Sequence, residues 1–208
     1  MNRPQPVTPE DRAAATRLRI LDVAEALFRS MGYQKTAVAD IARELGMSPA
    51  NVYRFFASKS AINEAIAARL LSGVTEELEA IADGPGVPAD RLRSMMRLLH
   101  QRHLALFTHQ KRMHDMVAAA MAEHWGVIAT FITRIEAAIG RVVAEGTARG
   151  AFRAIDPAVA ARMIKHAVMC WVHPVLITEG LSKGITDEAQ MACHLDELLE
   201  LLIRGLKP

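Results

Sequence analysis

The stretch from Thr36 to Lys59 constrains this chain most, because it predicts two short helices separated by a tight turn. Its first half carries apolar residues at the spacing i, i+3, i+4 and i+7, which marks the buried face of a helix: Val38, Ile41, Ala42 and Leu45. Gly46 is expected to end that helix. Ser48 then offers an N-cap, and Pro49 suits the first helical position because its missing N–H removes no hydrogen bond. A second short helix is therefore predicted to begin at once.

Two short helices joined by a glycine-containing turn have the geometry of a helix-turn-helix, whose second helix can enter the DNA major groove. In that second helix Val52 and Phe56, four residues apart, are predicted to face the core. The remaining side chains are predicted to point outward: Asn51, Tyr53, Arg54 and Phe55. The pattern predicts a DNA-binding head at residues 1–57.

Composition and periodicity predict an all-α fold for the rest of the chain. Of the 208 residues, 51% are hydrophobic, which is enough to build a buried core. No segment shows the alternation of a half-buried strand. Charge is divided unevenly, since residues 1–60 carry nine Lys or Arg against six Asp or Glu and the remainder carries 16 against 17. The basic excess lies where DNA contact is predicted, although so small an excess is weak evidence by itself.

Cysteine usage and the chain start predict a cytoplasmic protein. Cys170 and Cys193 lie within helical patterns, so a disulfide framework is not expected and a reducing compartment is favoured. The first twelve residues lack the apolar core of a signal peptide, and no apolar run reaches the roughly 18 residues of a membrane span.

Caps and breakers divide the chain into about nine predicted helices. The first begins at Thr8 and Pro9, and Gly32 ends it; Thr36 is predicted to cap the second. The later helices and the two predicted loops fall as follows: a fourth helix at 58–81 after the Ser58 cap, a loop at 83–88, helices near 91–107, 110–121 and 123–148, a helix at 157–179 with a kink at Pro174, a loop at 180–184 and a last helix at 187–205.

The head resembles that of the TetR family of bacterial transcriptional regulators. The resemblance covers residues 16 to 66, and these residues carry it: Gly32-Tyr33, Thr36, Val38, Ile41-Ala42, Gly46-Met47-Ser48, Val52-Tyr53, Phe56 and Ser58-Lys59. It implies an all-α homodimer of about nine helices per subunit. It further implies that the two heads bind a palindromic operator, and that a small molecule in a body at residues 58–208 releases them.

The resemblance also implies roles for single residues. Thr36, Ser48, Tyr53 and Lys59 match positions that contact phosphates or the groove, while Pro49, Ala50 and Asn51 lie nearest the base edges. An Asn51 amide can pair with adenine N6 and N7. Arg54 is either a base contact or merely solvated. Phe55 departs from the His or Tyr of many relatives, which favours a thymine-methyl or sugar contact over a phosphate contact.

An apolar effector pocket is predicted in the body, although methionines and aromatics at helical spacing more often fill a core. Its candidate lining residues are Met95, Leu99, His103, Met113, Met116, Val117, Met121, Trp125, Ile128, Phe131, His166, Met169, Cys170 and His173. No cofactor is expected.

Two alternatives to a small-molecule-responsive repressor remain. His166, Cys170 and His173 fall at i, i+4 and i+7, which would place them on one helical face where they can ligate Zn²⁺, Cu⁺ or Ni²⁺. A metal-sensing repressor of the same fold is therefore one alternative. A helical metal-dependent enzyme is the other, and the absence of an HExxH pair, a nucleophile elbow or a phosphate loop disfavours it.

The last two predicted helices, near 157–179 and 187–205, carry more apolar surface than one body is expected to cover. A two-fold interface is the natural partner for that surface, and dimerisation also sets the spacing of operator half-sites.

Overall fold

The computed structural model describes residues 8–108 and 126–208, and every regular element in these ranges is an α-helix. The ten described helices are α1 (Pro9–Met31), α2 (Val38–Glu44), α3 (Pro49–Tyr53), α4 (Lys59–Ala82), α5 (Pro88–Thr108), α6 (Gly126–Ala148), α7 (Pro157–Ala167), α8 (Met169–Val172), α9 (Pro174–Ser182) and α10 (Glu188–Leu206). The all-α prediction is confirmed. None of these helices is both long and apolar enough to cross a bilayer.

Helix ends follow the predicted caps at most positions. Thr8 Oγ1 accepts from Asp11 N at 3.1 Å, and Thr8 N donates to Asp11 Oδ2 at 2.9 Å, which satisfies two donors at the start of α1. Gly32 ends α1 with a positive φ of 96°, a conformation that L side chains avoid. The predicted cap of α4 at Ser58 is also confirmed, and Asp156 and Asp187 are the N-caps of α7 and α10.

The N-terminal helices close around one apolar core. Its buried members come from α1, α2, α3 and the first two turns of α4, with Tyr33 from the loop after α1 and Phe56 from the loop after α3: Ile20, Leu21, Ala24, Phe28, Tyr33, Val38, Ile41, Ala42, Val52, Phe56, Ile62 and Ile66. The Phe28 and Tyr33 rings meet edge to face with centroids 5.2 Å apart. This core fixes the orientation of α3.

A second core lies further along the chain, between the end of α4 and helices α5, α6, α7, α8 and α10. Its fully buried side chains include Leu78, Met95, Leu99, Ile139 and Val142. Helix α4 contributes to both cores, so it connects the head to the body.

The prediction of one kinked helix at 157–179 is wrong, because three helices occupy that stretch. Helix α7 ends before Val168, and His173 adopts an extended conformation with ψ 122° between α8 and α9. A residue that precedes proline is driven out of the helical region, so Pro174 starts a new helix instead of bending an old one. The predicted loop at Gly180 is also wrong, since α9 continues to Ser182. A Cβ at Gly180 would lie 3.3 Å from Thr186 Cγ2, so this glycine permits a close approach of the next loop.

Candidate nucleic-acid interface and body cavity

Helix α3 is held by a turn and a cap that the sequence predicted. Gly46 has a φ of +66°, and Met47 N donates to Ala42 O at 2.9 Å, which turns the chain after α2. Ser48 Oγ accepts from Asn51 N at 3.3 Å, and Pro49 is the first helical residue. Val52 is fully buried, so one side of α3 is fixed against the head core.

The opposite side of α3 faces solvent. Pro49, Ala50 and Arg54 are exposed, and Tyr53 keeps 50% of its surface accessible. Asn51 is half-buried, with Nδ2 3.9 Å from Met47 Sδ. The exposed face therefore combines a phenol, a guanidinium and small residues on a rigid support, which are groups that can meet phosphates and base edges.

Phe55 does not point fully outward as predicted. It is half-buried against the head core, and its carbonyl accepts from Arg17 Nη1 at 2.6 Å. The Arg17 guanidinium also lies 3.9 Å from the centroid of the Phe56 ring. Arg17 thus ties α1 to the end of α3, and Phe55 contributes packing there.

The predicted capping role of Thr36 is wrong. Ala37 is the N-cap of α2, and its N–H donates to Asp40 Oδ2 at 2.9 Å, which lowers the pKa of Asp40 together with the Arg43 guanidinium. Thr36 is 1% exposed, and its hydroxyl donates to Gly32 O at 2.9 Å. Its backbone N–H donates to the same carbonyl, so neither group is presented to a phosphate.

Lys59 supports the head from the first position of α4. Its Nζ donates to Tyr33 O at 2.9 Å and to Thr36 O at 3.1 Å, and lies 4.4 Å from the centroid of the Tyr33 ring. The ammonium therefore ties the start of α4 to the loop before α2. DNA contact by Lys59 stays a prediction.

A cavity of about 140 Å³ lies in the body, and six predicted residues line it. These are Leu99, His103, Ile128, Phe131, Met169 and His173. Six further lining residues were missed: Leu71, Ile132, Ile135, Lys165, Val172 and Pro174. The i, i+4 and i, i+7 spacing of Ile128 with Ile132 and Ile135 was available in the sequence as a signal, whereas the contribution of Leu71 depends on how α4 packs.

Three other predicted lining residues do not line the cavity. Met95 is fully buried in the body core, and His166 and Cys170 are exposed. The break between α7 and α8 turns these last two away from the positions that one continuous helix would give them. Five predictions lie outside the described residues: Met113, Met116, Val117, Met121 and Trp125.

The same break removes the basis for the predicted metal ligands, because His166, Cys170 and His173 do not share one helix. Within residues 8–108 and 126–208, no three His, Cys, Asp or Glu side chains are grouped to hold a metal ion. His100 Nδ1 instead donates to Trp171 O at 2.6 Å, so this histidine connects α5 to α8.

Two histidines and one lysine are the lining residues of the cavity whose side chains carry polar atoms. His103 Nδ1 bonds to Val172 O, and burial lowers the pKa of His103 from 6.5 to about 4. Burial also lowers the pKa of His173. Lys165 Nζ lies 2.6 Å from Glu136 Oε1, and both side chains are largely buried. At neutral pH both imidazoles are therefore uncharged, and the Lys165 charge is balanced by Glu136.

Two family models match the chain. Residues 20–66 match the model described as bacterial regulatory proteins, tetR family, and residues 88–193 match the tetracyclin repressor-like C-terminal domain. The first range spans every buried residue of the head core, and the second spans most of the buried residues of the body core.

Individual relatives agree with these matches. An HTH-type transcriptional repressor of Mycobacterium tuberculosis is 34% identical over 82 residues, which is 39% of this chain and 42% of that protein. The chain thus aligns with less than half the length of this relative. A TetR-family transcriptional regulator from Pectobacterium atrosepticum has the same fold, with a TM-score of 0.72 at 20% identity over 96% of this chain and 97% of that one. The transcriptional regulator FadR from Bacillus subtilis was solved in complex with stearoyl-CoA. It has a TM-score of 0.62 at 17% identity, over 91% of this chain and 98% of that one.

Proposed function

Because the chain belongs to the TetR family of bacterial transcriptional regulators, we propose that it is a ligand-responsive repressor that acts in the cytoplasm. In this proposal a homodimer binds a palindromic operator, and a small molecule in the body cavity releases it. The head comprises residues 1–57, and residues 58–208 bind the effector and form the dimer. Binding equilibria are sufficient for this function, and no catalytic step is needed.

The observation that carries the proposal is the solvent-facing side of α3 above a closed apolar core. Pro49, Ala50 and Asn51 are the proposed base-edge contacts, since the first turn of a recognition helix enters the groove most deeply. Ser48, Tyr53 and Lys59 are the proposed contacts to the sugar-phosphate backbone of the DNA. Arg54 contributes a positive charge to the same surface.

A dimer through the C-terminal helices is supported by apolar side chains that α7 and α10 leave in solvent. Val159 and Met163 on α7 and Leu201 on α10 are exposed. Burying such residues in a two-fold interface would remove them from water and hold two heads at a fixed spacing.

Release by an effector requires only that the ligand binds one arrangement of the heads better than the other. The differential binding free energy then weakens operator affinity by the same amount. Helix α4 is the proposed route, because Leu71 lines the body cavity while Ile62 and Ile66 belong to the head core. A shift of α4 would move the head.

Titration of a labelled fragment of the chain's own promoter, followed by fluorescence anisotropy, tests the proposal. Replacing Arg54 by Ala is expected to weaken specific binding by about 1–2 kcal/mol, roughly tenfold, because a charged contact at the DNA surface is lost. Arg102→Ala removes an exposed guanidinium from α5 and should leave the affinity unchanged.

Salt dependence separates operator binding from nonspecific attraction, because phosphate contacts release counterions while base contacts set the preference for one sequence. The wild-type protein should prefer the promoter fragment over a scrambled duplex at physiological salt. Equal affinity for both duplexes from a folded dimer would contradict the proposed function.

A further inference from the structure

The wall of the body cavity presents only apolar groups to a ligand. Across the described residues that line it, no nitrogen or oxygen atom is accessible from inside the cavity. Most of these residues are aliphatic or aromatic and come from α4, α5 and α6: Leu71, Leu99, Ile128, Phe131, Ile132 and Ile135. A bound molecule would therefore be held by van der Waals contacts and by its removal from water.

Three lining residues have polar side-chain atoms, and these atoms are turned away from the cavity. His103 Nδ1 bonds to Val172 O. Lys165 Nζ lies 2.6 Å from Glu136 Oε1, so the lysine lines the cavity with its methylene groups while its charge is paired elsewhere. His173 also lines the cavity without exposing a polar atom to it. A hydroxyl or carboxylate on a ligand would thus leave water and find no partner in the wall.

The size of the cavity fits a single ring. Its volume of about 140 Å³ is close to the roughly 150 Å³ of an apolar protein cavity that binds benzene. A buried water molecule needs about two to four polar partners, which this wall does not supply. An apolar molecule is therefore a better occupant of this volume than water.

We propose that the cavity binds a small hydrocarbon of one-ring size, such as an alkylbenzene, that carries no charged or hydrogen-bonding group. This inference rests on the proposed function and names the chemical class of its effector. Stearoyl-CoA, with which FadR was solved, is anionic and far larger than this cavity.

Toluene, phenol and benzoate form a matched set of probes, because they share one ring and differ only in the group attached to it. Isothermal titration of the full-length protein without DNA measures each affinity and the number of sites. Toluene is expected to bind at one site per subunit, at least about fivefold more tightly than phenol, because the phenol hydroxyl loses its hydrogen bonds to water. Benzoate is expected to bind at least about a hundredfold more weakly than toluene, because a carboxylate loses still more hydration.

Two variants with the same substitution assign toluene binding to the cavity. Ile128→Trp enlarges a half-buried residue of the wall, so its indole takes up volume that the ligand needs, and toluene should bind at least about tenfold more weakly. Ile185→Trp enlarges a residue that is 73% exposed and does not line the cavity, so toluene affinity should not change. If Ile128→Trp does not fold, the order of the three probes in the wild-type protein still decides the proposal.

Phenol or benzoate binding as tightly as toluene would overturn the inference, and so would toluene binding that Ile128→Trp and Ile185→Trp change equally. These titrations contain no DNA, so their outcome is independent of operator binding. A protein that binds its promoter but prefers phenol would contradict only the ligand class. A protein that binds toluene in the cavity but does not distinguish its promoter from a scrambled duplex would contradict only the proposed repression.

Discussion

Arg91 is a buried cation whose contacts join three parts of the body. It is 5% exposed, and its Nη1 donates to Ala82 O at 2.7 Å and to Gly84 O at 3.1 Å. Its Nη2 lies 2.5 Å from Glu145 Oε2 on α6. The guanidinium thus holds the end of α4, the following loop and α6 together.

Replacing Arg91 by Met is expected to lower the free energy of unfolding by about 2–3 kcal/mol, because two carbonyls and a carboxylate lose a buried donor. Urea denaturation measures the change. Arg149 pairs with Oε1 of the same Glu145 but is well exposed, so Arg149→Ala should cost less than about 0.5 kcal/mol. Equal losses in both variants would show that burial of Arg91 does not matter.

The buried His103 should make stability depend on pH. In the unfolded chain its imidazole binds a proton near pH 6.5, whereas in the folded protein it does so only near pH 4. The unfolded state therefore binds more protons between these values, so stability is lost as the pH falls through this window. The full loss amounts to roughly 3 kcal/mol.

Urea denaturation at about pH 7, 5.5 and 4.5 tests this dependence. His103→Asn removes the titrating ring and should flatten the decrease, while His166→Asn, at an exposed position, should retain it. A wild-type stability that stays constant across the window would contradict the assigned state of His103.

Single-residue roles could be predicted where they follow from local sequence. The Ser48 cap needs only the next three residues, and the pattern around it is unambiguous. In the sequence, Thr36 looked like an equivalent N-cap for α2. In the structure its hydroxyl donates to the Gly32 carbonyl, and Ala37 is the N-cap of α2. A threonine supports either arrangement, and the choice depends on how the loop after α1 packs.

At the scale of helices, Gly140 and Gly146 of α6 have different surroundings. A Cβ at Gly146 would lie 2.1 Å from Phe152 Cδ2, so the ring of Phe152 packs directly on the backbone of α6. At Gly140 the nearest atom to an added Cβ is Pro157 O at 3.7 Å, an ordinary contact. The close approach at Gly146 lets the chain fold back after α6.

Gly146→Ala is therefore expected to lower the midpoint of thermal unfolding, with a destabilisation of about 1–3 kcal/mol from overpacking. Gly140→Ala should raise the midpoint slightly, with a stabilisation of up to about 1 kcal/mol, because alanine favours the helix and the site has room for its methyl group. Circular dichroism during heating measures both. The opposite order of the two variants would refute the packing of Phe152 on α6.

Helix boundaries could be predicted from caps and prolines, but continuity between them could not. The cap at Asp156 and the proline at 174 were both visible, yet the break at Val168 carries no glycine or proline. His100 and His103 on α5 form hydrogen bonds with the carbonyls of Trp171 and Val172. These bonds fix the position of α8 against α5. These contacts join residues about 70 positions apart, so no local pattern reports them.

For the whole molecule, the head could be predicted almost completely and the cavity only in part. A helix-turn-helix is local, so its spacing of Gly46, Ser48 and Val52 is readable in one stretch. The cavity combines residues from α4, α5, α6 and the broken α7–α9 segment, and its shape depends on their packing. Periodicity identified apolar faces, but it could not show that, of two buried core residues, Leu99 lines the cavity and Met95 does not.

The proposed dimer connects the body to the function of the head, because the subunits must pair through their bodies for the two heads to reach two half-sites. Met163 and Leu201 retain 62% and 67% of their surface, which a two-fold contact through α7 and α10 would cover. The double variant Met163→Glu, Leu201→Glu places two charges per subunit in that contact and is expected to give a folded monomer in sedimentation velocity. Its operator affinity should fall at least tenfold, because each head then binds alone.

Leu18→Glu adds a charge at an equally exposed apolar position on α1 and should leave the dimer intact. A double variant that sediments as a dimer would place the subunit contact elsewhere on the body.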